Sequence, residues 1–254
     1  MTHLDDLSRP EQYERAIEVL AEVTDSLMDT VKRLDDTAIG APSLCAGWTR
    51  GHVLTHVARN ADALRNLVTW ARTGAETPMY PSRERRDADI EAGSGRSAAE
   101  LESDVEASAE RFLDDLLALD PEHLTARVSV GGSGLTAHDL PLHRAREVAF
   151  HHVDLDAGYT FADVPPALVR RALAETGERL TANGAGALIL VAADTGQRVQ
   201  VAGTGSTQST ASNQSSPAQI TGRACDLLAW TAGRSDGSAL DAPPQGLPQL
   251  PPWG

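Results

Sequence analysis

The sequence contains two pairs of potential metal ligands, and the two members of each pair are about one helical turn apart. His52 and His56 are four residues apart, and so are Glu147 and His151. Residues four apart lie on the same face of a helix, so each pair would present its nitrogen or oxygen atoms together. Zinc enzymes commonly use three protein ligands, and two histidines with one glutamate is an established set. The spacing therefore indicates a divalent metal site with a coordination position left open for chemistry.

A purely structural interpretation of the second pair also stays open at this point. Pairs with this spacing occur by chance, and Glu147 could instead form an ion pair with Arg144 or Arg146. His151 would then be an ordinary histidine whose ring is satisfied by hydrogen bonds. An acid and an imidazole on a core-facing stripe are costly to bury unless a partner satisfies them. A metal ion would satisfy both groups at once, but a single pair with this spacing is more often found on a surface or in a core than at a metal ion, so the spacing alone leaves both interpretations open.

Two residues near these pairs in the sequence, His152 and Cys45, need separate consideration. His152 is rotated about 100° from His151 on an ideal helix, so it is not expected to share the ion. Cys45 lies seven residues before His52 and could be a ligand or a nucleophile. The favoured interpretation of Cys45 is a small buried or loop residue, because no basic residue beside it would favour its thiolate form.

Helices are predicted to position these residues. Apolar residues at steps of three or four, with capping residues at the starts, predict four helices. They run from Ser8 to Leu34, from Thr49 to Gly74, from Ser97 to Leu116 and from Asp139 to Gly158. The polar residues 75–96 are predicted to be a long connection that could cover a site. Both candidate ligand pairs fall on the second and fourth helices, and facing helices of a bundle commonly build metal sites.

The pattern changes after Phe161. A helix from Pro165 to Leu180 is predicted, followed by two strands, at Ala187 to Val191 and at Arg198 to Val201. A polar stretch at 203–216 predicts an exposed or mobile loop, and a short helix at 223–232 precedes a proline-rich tail. The predicted fold class is α + α/β. A metal-binding four-helix bundle would occupy residues 1–158, and a small α/β domain with the tail would occupy residues 159–254.

Composition narrows the classes of partner. The formal net charge is −14, and such a field repels a phosphate backbone, so no nucleic-acid partner is expected. No apolar run approaches the roughly 20 residues that span a bilayer, so no membrane partner is expected. The first residues lack the features of a signal peptide, and cytoplasmic localisation is predicted. The two cysteines, Cys45 and Cys225, form no CxxC motif.

Four segments carry a resemblance to a known family. Residues 47–58 (GWTRGHVLTHVA) and 146–155 (REVAFHHVDL) resemble the metal helices of the mycothiol-dependent maleylpyruvate isomerases, which belong to the DinB-like bundle superfamily. Residues 76–80 (ETPMY) and 232–237 (AGRSDG) resemble narrower motifs of the isomerases themselves. The resemblance covers essentially the whole chain, although the Ser/Thr-rich stretch after Gly203 departs from the family pattern.

The resemblance implies a specific site and reaction. Zinc, or another divalent metal, would be bound by His52, Glu147 and His151, while Arg234 would enter the active site from a C-terminal domain that resembles sterol-carrier folds. His56 would pack behind the site or hydrogen-bond to a ligand, with ligation as the less favoured alternative. The enzyme would be a monomer. It would convert maleylpyruvate, the ring-opened product of gentisate in aromatic catabolism, to fumarylpyruvate with mycothiol as thiol cosubstrate.

The residues can support the implied mechanism. Reversible addition of a thiolate to the alkene makes the double bond single, allows rotation, and returns the trans isomer on elimination. The metal would favour the thiolate, and Arg234 would stabilise the enolate or grip a substrate carboxylate. Neither cysteine is required, because the thiol arrives as cosubstrate. Two alternatives stay open: a mycothiol-dependent S-transferase acting on another electrophile, and a non-catalytic binding protein with a structural metal.

Overall fold

The computed structural model describes residues 8–130, 133–203 and 217–251 of the 254-residue chain. The chain divides into two compact units, Met1–Tyr159 and Thr160–Gly254. The first unit is helical apart from one small hairpin, and the second combines helices with a three-stranded sheet. The prediction of a four-helix bundle followed by a small α/β region is therefore confirmed as a fold class.

The described residues of the first unit form six α-helices. They are α1 (Arg9–Val31), α2 (Asp36–Ile39), α3 (Arg50–Thr73), α4 (Arg83–Gly93), α5 (Ala98–Leu117) and α6 (Leu140–Asp154). The long helices α1, α3, α5 and α6 make the bundle, because α3 packs against α5 and α6, and α1 packs against the same two helices. Apolar residues of all four helices, such as Leu27, Leu64, Phe112 and Val148, are buried between them.

The ends of α3 explain why this helix was predictable. The Thr49 side chain accepts a hydrogen bond from the backbone N–H of His52, which satisfies one donor at the helix start. Gly74 ends the helix in the left-handed conformation, with φ of 72°, which glycine adopts without steric cost. The predicted bounds of the second helix, Thr49 and Gly74, are thereby confirmed, and they fix which residues face the core.

Two parts of the first unit differ from the sequence-based expectation. Residues 75–96 are not a simple connection, because they contain α4, which begins after the N-cap Ser82 and packs against α3. The helix was missed because its sequence is polar and Ile90 is its one buried residue. A hairpin of β1 (Arg127–Val130) and β2 (Ser133–Thr136) lies where only a Gly-rich turn was predicted, and part of that turn falls outside the described residues.

The second unit contains α7 (Pro166–Ala182), β3 (Leu188–Ala192), β4 (Arg198–Val201), β5 (Ala218–Gly222) and α8 (Ala224–Thr231). β3 is the central strand, antiparallel to β4 as the turn residues between them predict, and parallel to β5. The strand β5 was not predicted from the sequence. Apart from Gly203, the predicted loop at 203–216 lies outside the described residues. No helix within the described ranges is long and apolar enough to span a membrane.

Candidate metal centre

Side chains from α3 and α6 meet in a group with metal-binding atoms. One ligand atom from each of His56, Glu147 and His151 lies within 4.8 Å of the other two. Glu147 Oε2 is 3.9 Å from Nε2 of His56 and 3.9 Å from Nε2 of His151. These distances are too long for hydrogen bonds. Ligand atoms on a tetrahedral zinc ion stand roughly 3.4 Å apart, so Glu147 and His151 have a spacing that an ion could bridge.

Glu147 is ionised at neutral pH. Burial by itself raises the pKa of this carboxyl, but its electrostatic interactions with His151, His143 and Arg146 outweigh burial and lower the pKa to about 2. Arg146 Nη2 is 3.6 Å from Oε1, the oxygen that does not face the histidines. The ion pair considered from the sequence is therefore present on one carboxylate oxygen, and it coexists with the metal-binding geometry of the other.

A buried carboxylate holds the ring of His151. Asp154 is fully buried one turn further along α6, and its Oδ2 lies 2.9 Å from Nδ1 of His151. A proton on Nδ1 would be donated to this carboxylate and would leave the lone pair on Nε2, which faces Glu147. Metal-binding histidines commonly have this arrangement. The Cys45 thiol donates to the same Asp154 oxygen at 3.2 Å, and these three residues form a second group of possible ligand atoms.

His56 is buried with a guanidinium beside its ring. Arg86 Nη2 is 3.4 Å from Nδ1, and because a guanidinium can only donate, Nδ1 must accept. Burial and the charge of His151 hold the pKa of His56 well below its ordinary range, so the ring is neutral. A neutral ring that accepts at Nδ1 carries its proton on Nε2, the atom that points toward Glu147. His56 thus presents an N–H group toward that carboxylate, at 3.9 Å from Oε2.

His52 lies outside this group in the structure. Its Nδ1 is 2.8 Å from Thr49 Oγ1 and also accepts from the Thr49 backbone N–H at 3.2 Å. Its Nε2 is 3.2 Å from Glu91 of α4, whose side chain is 79% exposed. The Trp48 ring stacks on His52 with centroids 6.2 Å apart and lies 5.6 Å from the ring of His56. Ligation by His52 therefore stays a prediction.

His152 points away from the group, as its position on the helix requires. Its Nε2 is 2.8 Å from Thr30 Oγ1 of α1, and its ring stacks on Tyr159 with centroids 3.7 Å apart.

Two further residues near the group, Asp154 and Arg86, were not assigned roles from the sequence. The i, i+3 spacing from His151 was the signal for Asp154, whereas Arg86 lies in a segment that was predicted to be a connection.

Arg234 belongs to the second unit. It follows Gly233, which adopts a positive φ of 72° just after the end of α8. Its Nη1 donates to the carbonyl oxygen of Ala232 at 2.5 Å. Burial and then the charge of Arg234 lower the pKa of Arg179, so the two cations lie near each other. A catalytic role for Arg234 stays a prediction.

Comparison with known proteins identifies the family. The family model of the mycothiol maleylpyruvate isomerase N-terminal domain matches residues 20–156, more than half of the chain. The crystal structure of the mycothiol-dependent maleylpyruvate isomerase is 30% identical in sequence, with 100% of both chains covered and a TM-score of 0.88. The H52A mutant of that enzyme matches with 30% identity, the same coverage and a TM-score of 0.87. Comparison with curated proteins gives no match. Since the likeness extends over the full length of both chains, this chain belongs to the mycothiol-dependent maleylpyruvate isomerases, a family of enzymes.

Proposed function

We propose that this enzyme isomerises maleylpyruvate to fumarylpyruvate, with mycothiol as thiol cosubstrate and zinc or another divalent ion bound in the bundle. The observation that carries the proposal is the full-length likeness, at 30% identity, to an isomerase with that name. The group of Glu147 and His151 supports it, because a thiol-dependent isomerase needs a means of forming a thiolate. The reaction would serve the breakdown of gentisate in aromatic catabolism.

We assign the metal to His52, Glu147 and His151. Glu147 is ionised, and His151 has Asp154 behind its Nδ1, so both have the lone pairs that a metal requires. His52 can provide the third ligand if its proton moves from Nε2 to Nδ1 and is donated to the Thr49 hydroxyl oxygen at 2.8 Å, in exchange for the bond that Nδ1 accepts from the Thr49 backbone N–H at 3.2 Å. Its contact with the exposed Glu91 contributes little stability and can be given up.

His56 is the less suitable third ligand, although it lies closer to Glu147. To bind an ion through Nε2 it would have to carry its proton on Nδ1, where the Arg86 guanidinium already presents a donor at 3.4 Å. Two donors would then face each other in a buried environment, which is costly. His56 is therefore proposed to orient Glu147 by donating a hydrogen bond to its carboxylate, as the sequence-based alternative also had it.

The residues around the ion have distinct tasks in the proposed reaction. A divalent ion with an open position favours the thiolate of a bound thiol, which supplies the nucleophile at neutral pH. Asp154 fixes the ring of His151 through its contact at 2.9 Å, while Arg146 and His56 would orient the two oxygens of Glu147 from 3.6 and 3.9 Å. Addition to the alkene makes the double bond single and places negative charge on the neighbouring carbonyl oxygen. Arg234 is proposed to stabilise that charge or to bind a substrate carboxylate.

Product analysis tests the proposal against the S-transferase alternative. The zinc-loaded enzyme would be mixed with maleylpyruvate and a substoichiometric amount of mycothiol, and the reaction would be followed by proton NMR. We expect many molecules of the trans isomer for each molecule of mycothiol added, because elimination regenerates the thiol. Accumulation of a stable thioether adduct, limited to the amount of mycothiol added, would instead identify a transferase.

A further inference from the structure

The hydroxyl of Tyr80 is buried, and its proton has no acceptor among the described residues. The Arg86 guanidinium, whose hydrogen bond lowers the pKa of Tyr80, can only donate to the phenol oxygen. Tyr80 is the last residue of the ETPMY segment, which precedes α4. A buried hydroxyl whose proton has no acceptor is unfavourable, and such groups in folded proteins need an explanation. Burial raises the pKa of Tyr80, so the phenol keeps its proton and remains a hydrogen-bond donor.

The segment that carries Tyr80 is bound to α3 on one side and leads into the capped start of α4 on the other. The Asn66 side chain of α3 donates to the carbonyl oxygens of Pro78 at 3.3 Å and of Met79 at 3.2 Å. Two residues after Tyr80, the Ser82 hydroxyl accepts from the backbone N–H of Arg85 and starts α4. With an anchor on each side, the position of the phenol is set by the fold.

Charged groups of the candidate metal centre surround this phenol. After burial, the charges of Arg86, Glu147 and Arg144 are what shift the pKa of Tyr80, and Arg86 also does so through a hydrogen bond. Arg86 also contacts His56, and the buried Arg144 donates Nη1 to Asn60 Oδ1 at 2.8 Å. Two guanidinium cations and a protonated phenol thus stand beside the carboxylate that is proposed to bind the ion.

We propose that Tyr80 Oη and the Arg86 guanidinium form a subsite that binds one carboxylate of the substrate. The inference rests on the proposed function, since it needs a dicarboxylate whose alkene lies near Glu147. The phenol would donate to one carboxylate oxygen. Arg86 has five N–H donors and uses Nη1 for Asp87 and Nη2 for His56. One of its remaining N–H groups would donate to the other carboxylate oxygen of the substrate. Bound substrate would satisfy the buried hydroxyl and hold the alkene beside the thiol.

The test compares Tyr80→Phe with Tyr13→Phe. Tyr13 is the matched control, because its hydroxyl is also buried but donates to the carbonyl oxygen of Leu116 at 3.1 Å. We expect Tyr80→Phe to keep or raise the Tm, since it removes an unsatisfied group, and Tyr13→Phe to lower it. In zinc-loaded protein, Tyr80→Phe should weaken binding of maleate, a cis dicarboxylate probe, by about tenfold or more in calorimetry. Tyr13→Phe should bind maleate as the unaltered enzyme does.

Kinetics separate this subsite from the proposed function. For maleylpyruvate, Tyr80→Phe should raise KM by a similar factor, with a smaller change in kcat. A Tm that falls as far as that of Tyr13→Phe, or maleate affinity and KM equal to those of the unaltered enzyme, would overturn the subsite. If the unaltered enzyme fails to isomerise maleylpyruvate but binds maleate through Tyr80, the proposed function is wrong and the carboxylate subsite stands.

Discussion

Proton positions decide which imidazoles in this bundle can bind an ion. A neutral imidazole has one lone pair, and the partner of the other ring nitrogen determines where that lone pair lies. A proton on Nδ1 of His151 would be donated to Asp154, which would leave the lone pair on Nε2 available to an ion. Arg86 donates to Nδ1 of His56 and has the opposite effect. His52 Nδ1 faces the Thr49 hydroxyl, which can donate or accept, and the Thr49 backbone N–H, which can only donate.

Zinc content tests this assignment one residue at a time. Replacing His52, Glu147 or His151 by Ala should lower zinc affinity by more than about 100-fold, because loss of a residue that merely supports a ligand already costs 10–100-fold. His152→Ala should keep its zinc, since that ring points toward Thr30. The measurement is zinc per protein after dialysis against a graded chelator. Full occupancy in Glu147→Ala would remove this residue from the site, and full occupancy in His52→Ala would favour His56.

Close packing between α3 and α4 positions the residues that α4 contributes. A Cβ atom at Gly93, the last residue of α4, would lie 2.5 Å from Thr55 Cγ2 of α3 and 3.0 Å from Arg96 Nη2. Glycine is therefore required for α4 to approach α3 this closely. The same helix carries Arg86 and Glu91, which contact His56 and His52 respectively.

Substitution of Gly93 should test this packing. Gly93→Ala is expected to lower the free energy of unfolding by about 1–3 kcal/mol, the typical cost of overpacking. Gly95→Ala is the control, because a Cβ at that position meets no atom within 4 Å. Urea denaturation of the two variants checks the difference. Equal stabilities would mean that α4 can shift at no cost and that its contacts with the histidines are not fixed by Gly93.

The elements differ in how well the sequence predicted them, for physical reasons. The helices α1, α3 and α5 were predictable because each combines a side-chain cap with a long apolar stripe. The helix α4 has a cap at Ser82 but almost no apolar face, so its polar residues indicated a connection. The strand β5 was missed because its pairing with β3 is non-local, and a short strand carries little pattern of its own.

The candidate site was predictable to a similar degree. The i, i+4 spacing of Glu147 and His151 was visible in the sequence, and the structure brings these two side chains together. The group also includes His56, which the sequence ranked behind His52. Contacts with Arg86 and Tyr80 depend on the path of residues 75–96 over α3, and no local pattern encodes that path. Tertiary packing, rather than helical periodicity, determines this part of the site.

The molecule as a whole carries a charge that opposes its proposed substrate. A formal net charge of −14 repels a dicarboxylate at long range, so binding must rely on local cations. In the first unit, Arg146 lies 3.6 Å from Glu147, and the charges of Arg86 and Arg144 act on Tyr80. The family resemblance implies one further cation for the substrate, Arg234 of the second unit. This distribution predicts that substrate affinity depends on single arginines more than on overall charge.

Arg234 tests whether the two units cooperate in catalysis. Arg234→Ala should retain its fold and zinc but lose at least about 100-fold in kcat/KM, the scale expected for one lost charge-stabilising donor. Arg234→Lys should recover only part of the loss, because a lysine lacks the two parallel donors that match a carboxylate. Steady-state kinetics on zinc-loaded variants provide the comparison. Near-normal turnover in Arg234→Ala would leave the second unit as a scaffold.

The most direct test of the account is isomerase activity with each component supplied separately. Maleylpyruvate turnover would be measured with and without mycothiol and with and without zinc, in the unaltered enzyme and in the Cys45→Ser, Cys225→Ser double variant. A serine at position 45 can still donate to Asp154, so the double variant should keep most of its activity. We predict turnover only where zinc and mycothiol are both present, in both proteins. Substantial turnover by the zinc-loaded enzyme without mycothiol would contradict the account, because the nucleophile would then have to come from the chain itself.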